Sequence, residues 1–288
     1  MIVLVTGAAG LVGRFVAREL AEHGHEVRAI DVKPAGPQWK REGVQWIYAD
    51  IADPLQMMTH LGGCDAVIHC AAYPTPHFVS PSELLRVNVI GTGNILDAAV
   101  AHGIQRVVIT TSVGALGFSF PTHPCLPDYL PVDAAHARRP QDVYGLSKLM
   151  NEEAAAAATR LSGVTTVVMR PPHVVDLEKM KRDGWIQRRL DWNTERRDSA
   201  LWGYVDARDL AVAMRLAVET ELSGHQIFFP HADDLMARES PVELAEKFLP
   251  DLLEDAKKLP GRSFYDLTAI QDALGWKAER LIRDMPAE

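Results

Sequence analysis

The segment TGAAGLVG, residues 6 to 13, sets Gly7, Gly10 and Gly13 between the apolar run IVLVT (2–6) and an apolar-periodic stretch from Leu11 to His23. A strand, a glycine-rich turn and a helix in that order admit few folds. Gly7 allows the tight turn, Gly10 lets a pyrophosphate approach the backbone, and Gly13 lets the helix pack close to the strand. The helix start, at Leu11 and Val12, offers free N–H groups and the positive dipole end to phosphate. The motif therefore points to a bound dinucleotide. The next run, HEVRAID (25–31), ends at Asp31. A carboxylate there accepts hydrogen bonds from the adenosine ribose and repels a 2′-phosphate, which favours NAD; Lys33 nearby leaves NADP open.

The alternation continues. Strands are expected at 44–50 (VQWIYAD), 65–72 (DAVIHCAA), 106–112 (RVVITTS) and 164–172 (VTTVVMRPP), with a long helix from Ser82 to His102 and another from Gln141 to Leu161. Asp53 and Pro54 read as the N-cap and first residue of a short helix. Strand–helix alternation means parallel βαβ units, so the expected fold is α/β, a doubly wound parallel Rossmann sheet. The loop from Val113 to Pro140 carries prolines 121, 124, 127, 131 and 140 and is long enough to suggest a functional loop or lid. Past Pro172 the pattern breaks into charged sequence with Trp185, Trp192 and Trp202. Residues 203–219 resume strand and helix, 225–230 a strand, and short helices are expected at 240–249 and 268–274. The division is a dinucleotide-binding domain over 1–172, with 203–230 adding back to it. Residues 173–202 and 231–288 form a small substrate-binding region.

Composition narrows the class. The net charge of −8 opposes a nucleic-acid partner. Three cysteines, Cys64, Cys70 and Cys125, form no CxxC pair, and no HExxH is present, so neither a disulfide framework nor a metal site is expected. The start MIVLVTG leaves no room for a signal peptide, and the charge-free run from Val107 to Pro127 is too polar to span a membrane. A cytoplasmic protein with no membrane partner is expected.

VYGLSK (143–148) sets Tyr144 and Lys148 one helical turn apart on one face. The pair alone does not separate a polar helix face from an acid–base device. Context decides: TGAAGLVG, Asp31, Asp50-Ile51, HCAA (69–72), NVIGT (88–92), TTS (110–112), YGLSK and RPP (170–172) occur in order. Together they resemble the extended short-chain dehydrogenase/reductases, in the NAD-dependent epimerase/dehydratase group, over roughly residues 1 to 230. LGW (274–276) resembles a C-terminal signature of that group.

The resemblance implies roles. Asp50 and Ile51 contact adenine, and Ala71 and Ala72 line the diphosphate and ribose. Pro171 and Pro172 pass the nicotinamide amide, and Asn88 supports the site from behind. Ser112 hydrogen-bonds the substrate oxygen, in preference to Thr111. Tyr144 exchanges the hydroxyl proton, its pKa lowered by Lys148 and a cationic nicotinamide. Lys148 also reaches the nicotinamide ribose. Thr75, Ser112, Val113 and His173 are the candidate substrate contacts, with His77, Trp185 and Trp202 as possible pocket walls. Arg188, Arg189, Arg196 and Arg197 suit an anionic group or a solvated face. Cys70 beside His69 reads as a small buried hydrophobe.

A dehydrogenase acting on a sugar or sugar acid is favoured over an epimerase that recycles its NAD. A dehydratase is disfavoured because Val113 and Gly114, not an acidic pair, follow Ser112. A dinucleotide-sensing protein without turnover is disfavoured because the Tyr/Lys pair is kept. The layout is similar to that of uronate dehydrogenases, yet those carry Asn and His after the serine. Relatives pair through the two long helices, so a homodimer is expected.

Overall fold

The computed structural model of the chain describes residues 1–34, 36, 43–123 and 125–285. Pro124 and the last three residues of the expected C-terminal region lie outside the described residues. Parallel strands β1 (Ile2–Thr6), β2 (Glu26–Asp31), β3 (Val44–Tyr48), β4 (Ala66–His69), β5 (Arg106–Thr110), β6 (Thr165–Met169) and β9 (His225–Phe228) form one seven-stranded sheet in the order β3-β2-β1-β4-β5-β6-β9. The order reverses between β1 and β4, and a crevice opens there at the strands' C-terminal ends. The doubly wound fold is present as expected.

Each face carries helices because the strands are apolar on both sides. Helices α1 (Leu11–Glu22), α8 (Ala207–Glu219) and α11 (Thr268–Leu274) cover one face, burying Val16, Leu20, Leu210 and Met214. Helices α2 (Pro54–Leu61), α4 (Gly91–Ala101) and α5 (Val143–Ser162) cover the other, burying Met57, Ile95 and Ala155. Asp53 caps α2 through the Leu55 and Gln56 N–H groups, with Pro54 following as expected.

The long helix starts one residue earlier than expected. It is built as α3 (Pro81–Leu85), a π-helical turn (Arg86–Ile90) and α4. This 21-residue helix is long and apolar enough to cross a membrane, but it packs against α2 and α5 and buries Leu84, Asn88, Ile95 and Leu96.

The stretch after Pro172 has regular structure that its irregular sequence concealed. It comprises β7 (His173–Val175), α6 (Leu177–Arg182), α7 (Trp185–Glu195) and β8 (Tyr204–Asp206), with β7 and β8 in a two-stranded parallel sheet. The proline-rich loop is not a free lid. Val132 bridges Tyr265, its N–H donating to the Phe264 carbonyl at 2.8 Å. Leu116, Phe118, Leu130 and Val132 share a cluster with Trp202, Leu244 and Phe264. Apolar burial therefore fastens the loop to the C-terminal helices.

A Cβ at Gly13 would sit 2.2 Å from the Gly7 carbonyl oxygen, whereas one at Gly93 in α4 meets nothing within 4 Å. Gly13→Ala should therefore destabilise the protein by about 1–3 kcal/mol in urea denaturation. Gly93→Ala should be neutral or stabilising by up to ~1 kcal/mol; equal effects would contradict the tight turn.

Candidate active site

A cleft of ≈ 1010 Å³ runs along the C-terminal ends of the strands. Gly7, Gly10, Leu11, Val12 and Gly13 line one part of it. Gly7 has φ +66°, and a Cβ there would meet the Ala71 backbone nitrogen at 2.6 Å, so the turn touches the chain leaving β4 without side chains between them. Gly10 caps α1 with no side-chain hydrogen bond, leaving the first-turn N–H groups open to a ligand. Asp31 anchors the turn by accepting the Ala9 N–H at 2.8 Å and that of Lys33 at 3.0 Å. Each carboxylate oxygen keeps acceptor capacity for a diol. Lys33, Asp50, Ile51, Ala71, Ala72, Pro171 and Pro172 also line the cleft. A bare cradle, an open helix end and an acceptor at the end of β2 fit a dinucleotide.

Ser112, Tyr144 and Lys148 line the same cleft. β5 ends at Thr110, so Ser112 lies beyond the strand, at the N-cap of a 3-10 turn (Val113–Leu116). Its hydroxyl oxygen accepts the Gly114 N–H at 3.0 Å, and the hydroxyl also hydrogen-bonds the Tyr144 phenol. The Thr111 hydroxyl points elsewhere, donating to the Met169 carbonyl at 3.1 Å and to Glu152 at 3.0 Å. Lys148 is nearly buried, donates to the Thr110 carbonyl at 3.1 Å, and holds its Nζ 5.6 Å from the Tyr144 ring centroid. Phe120 meets that ring edge-on at 5.8 Å.

Two glycines outside the expected set make this packing possible. A Cβ at Gly114 would press on the Tyr144 ring at 3.2 Å, and one at Gly145 would meet the Gly114 carbonyl at 2.5 Å. The start of α5 thus lies directly on the turn that follows Ser112.

The sequence from 3 to 228 matches the model of the NAD-dependent epimerase/dehydratase family. The chain belongs to that family. Its relatives include cinnamoyl-CoA reductase 1 of Petunia hybrida, 28% identical over 87% of this chain and 78% of its own. UDP-glucose 4-epimerase of Corynebacterium glutamicum is 27% identical over 97% and 91%. Uronate dehydrogenase of Pseudomonas putida is 32% identical over 58% and 59%. A solved short-chain dehydrogenase/reductase superfamily protein from Agrobacterium tumefaciens, with bound NAD, superposes with a TM-score of 0.73 at 24% identity, covering 98% of this chain and 94% of its own.

Other expected site residues of this epimerase/dehydratase-family chain divide. Val113 and His173 line the cleft. Asn88 does not; it is fully buried, and its amide is spent on the Tyr73 N–H and carbonyl and the Ser147 hydroxyl. Thr75 also stays outside the cleft lining, its hydroxyl accepting the His77 N–H. His77 packs on Phe120, Trp185 is exposed, and Trp202 is wholly buried in the C-terminal cluster, so none forms a cleft wall. Of the four arginines, Arg189 alone lines the cleft; Arg188 and Arg196 lie over Trp185 and Trp192, and Arg197 holds the Cys125 carbonyl.

A neutral relay braces the cradle. Thr92 donates to the Asn88 carbonyl, so it accepts from His69 Nε2, and His69 Nδ1 accepts from Thr6. The Thr6 hydroxyl in turn accepts the Cys70 and Ala71 N–H groups. Burial and the Lys148 charge pull His69 down to about 3, keeping it uncharged. Burial raises the half-buried Cys70 thiol to about 11, the inert behaviour expected of it.

Burial pushes the Tyr144 phenol up to about 12, outweighing the hydrogen bond from Ser112 that favours phenolate. The lowered phenol expected from Lys148 is therefore not produced by the protein alone, because withdrawing the phenolate from water dominates. Burial also pulls Lys148 down to about 8 from 10.5. Between those pH values the unfolded chain binds more protons, so stability rises with pH across the window, and the full penalty is present below it. Lys148→Met should stabilise the protein at pH 7 by on the order of 2–3 kcal/mol and flatten that rise. Urea melts at pH 7 and pH 10 check this; a destabilised variant at pH 7 would contradict it.

Proposed function

We propose that the chain is an NAD-dependent oxidoreductase, transferring hydride between nicotinamide and a hydroxyl or carbonyl carbon of a sugar or sugar acid. The observation that carries this reading is the meeting, in one cleft, of an open α1 N-terminus, Asp31, and the trio Ser112, Tyr144 and Lys148. The glycine turn holds the diphosphate, Asp31 the adenosine ribose, Asp50 and Ile51 the adenine side, and Ala71, Ala72, Pro171 and Pro172 the nicotinamide half. Asn88 acts from behind, through Ser147 and Tyr73. NAD supplies the hydride acceptor when oxidised and the hydride donor when reduced.

The protein handles the proton. Ser112 turns its hydroxyl hydrogen from the Tyr144 phenol to the substrate oxygen and fixes its position. Tyr144 takes the hydroxyl proton as the carbon is oxidised and returns it in the reverse direction. Lys148, with its ammonium beside the ring, favours the phenolate and reaches toward the nicotinamide ribose. A phenol held near 12 needs further positive charge close by before it serves as a base at neutral pH. Chemistry is thereby coupled to cofactor binding. Residues 173–202 and 231–288 supply the substrate side. A cytoplasmic homodimer is part of the proposal, supported by the exposed apolar side chains Ile90, Leu146 and Met150 on the two long helices.

An epimerase with retained NAD is the second reading, supported by the relative that aligns over 97% of this chain. Incubation with sugars, sugar acids and nucleotide sugars plus NAD separates the two. Net reduced cofactor with a free sugar or sugar acid supports the first reading; product without net reduction supports the second; neither from any substrate would leave a dinucleotide-sensing protein. Tyr144→Phe should lower turnover by ~10²-fold or more while NAD still binds, and unchanged turnover would remove Tyr144 from the mechanism. Asp31→Ala should weaken NAD more than NADP, so an unchanged ratio of the two dissociation constants would remove Asp31 from cofactor selection.

A further inference from the structure

Beyond Tyr144 the cleft carries a cluster built from three separate segments. Arg189 Nη2 on α7 donates to Asp198 at 2.7 Å and lies 3.3 Å from His173 Nε2, which at the start of β7 is 3.2 and 3.3 Å from the two Asp198 oxygens. Asp198 is 3% exposed, whereas Arg189 and His173 are 33% and 37% exposed and line the cleft beside Ser199 and Ala200. Burial raises the Asp198 carboxyl, but the hydrogen bonds from His173 and Ala200 and the charge of Arg189 outweigh it and hold the group ionised.

The turn bearing Asp198 is strained. Leu201 and Trp202 both adopt left-handed backbone, with φ +51° and +56°, which side chains other than glycine's disfavour. Four hydrogen bonds hold it. Asp198 Oδ1 accepts the Ala200 and Trp202 N–H groups, Tyr265 donates to the Ala200 carbonyl, and the buried Trp202 indole donates to the Asn193 carbonyl. Asp198 thus aims both Arg189 and His173 from a rigid base.

Two features identify the ligand. Arg189 Nε and Nη1 form no hydrogen bond among the described residues, so part of the guanidinium fork is unspent. The acidic residues lining the cleft, Asp31 at the end of β2 and Asp50 after β3, lie at the proposed adenine end, away from this cluster. Asp198 offsets one positive charge, so the cluster presents directed N–H groups more than net charge. A planar monoanion suits it better than a phosphate dianion. With Nε2 occupied by Asp198 and Arg189, His173 keeps Nδ1 to meet a neighbouring hydroxyl.

We infer that the substrate is a hydroxy acid whose carboxylate is gripped by Arg189 and whose adjoining hydroxyl is received by His173, with Asp198 as the positioning residue. This rests on the hydride-transfer reading of the same cleft. It uses residues other than Val113 and Gly114, the pair that separates this chain from the uronate-dehydrogenase pattern.

The test measures binding without turnover. NAD-loaded full-length Tyr144→Phe protein is titrated calorimetrically with matched pairs, glucuronate against glucose and gluconate against glucitol, and with lactate. At least one acid should bind about 10- to 100-fold more tightly than its neutral partner. Arg189→Gln in the same background should abolish that preference, leaving neutral affinity unchanged, and Arg189→Lys should restore part of it. The double variant Arg189→Gln with Asp198→Asn, which leaves no unpaired charge, should melt like the parent and also lack the preference. Equal binding of acid and neutral partners, loss of both alike in Arg189→Gln, or no acid bound at millimolar concentration would overturn the inference. Acid binding through Arg189 in a protein that never reduces NAD would instead overturn the oxidoreductase reading and leave this one standing.

Discussion

The fork between Arg170 and Glu152 is the interaction on which the site's geometry rests. Arg170 Nε and Nη2 meet the two Glu152 oxygens at 2.8 and 2.7 Å, with both side chains essentially excluded from water. Burying such a pair is costly unless every lone pair is used. Here they are used, since Thr111 donates to one oxygen and Arg138 reaches the other at 3.4 Å. The pair binds α5, which carries Tyr144 and Lys148, to the residue that precedes Pro171 and Pro172. The helix bearing Tyr144 and Lys148 and the proposed nicotinamide-side prolines are thereby set in one register.

Around that anchor, space is removed wherever backbones must meet. Gly7 against Ala71, Gly13 against Gly7 and Gly145 against Gly114 bring turns and helix starts into direct contact. These contacts leave the α1 N–H groups and the Ser112 hydroxyl facing the cleft with little freedom. Rigid placement of this kind supports catalysis only if groups of unequal pKa are held together. Burial supplies that inequality by raising the phenol and lowering the ammonium on the same helix face. The cleft therefore holds a tension that an apolar core would lack, and the rest of the fold stabilises the molecule against it.

The proposed substrate side follows another logic. Residues from β7, α7 and the turn before β8 meet there, and the turn's left-handed backbone is kept in place by the burial of Trp202 against Phe248 and Phe264. The proline-rich loop joins the same cluster. The wall of the substrate end is thus a packed structure, and what it recognises depends on which polar groups that packing points inward.

Much of the cofactor side was legible in the sequence. The glycine turn, Asp31 and the spacing of Tyr144 and Lys148 act through backbone conformation and a one-turn helix period, both properties of neighbouring residues. Ser112 was preferred to Thr111 from the sequence, and the strand's end with the Glu152 contact gives the physical reason. Asn88 lies behind the cleft, where it was expected, whereas Thr75 and Trp202 fall outside the cleft lining because side-chain direction depends on what packs against each residue. Alternation and motif order by themselves determined the parallel sheet and its dinucleotide crevice, and set Tyr144 and Lys148 on one helix face. Only the tertiary structure decided the raised phenol, the buried Arg170–Glu152 fork and the Arg189–Asp198–His173 cluster. Their physical basis is desolvation and contact between segments far apart in the chain, which no local pattern encodes.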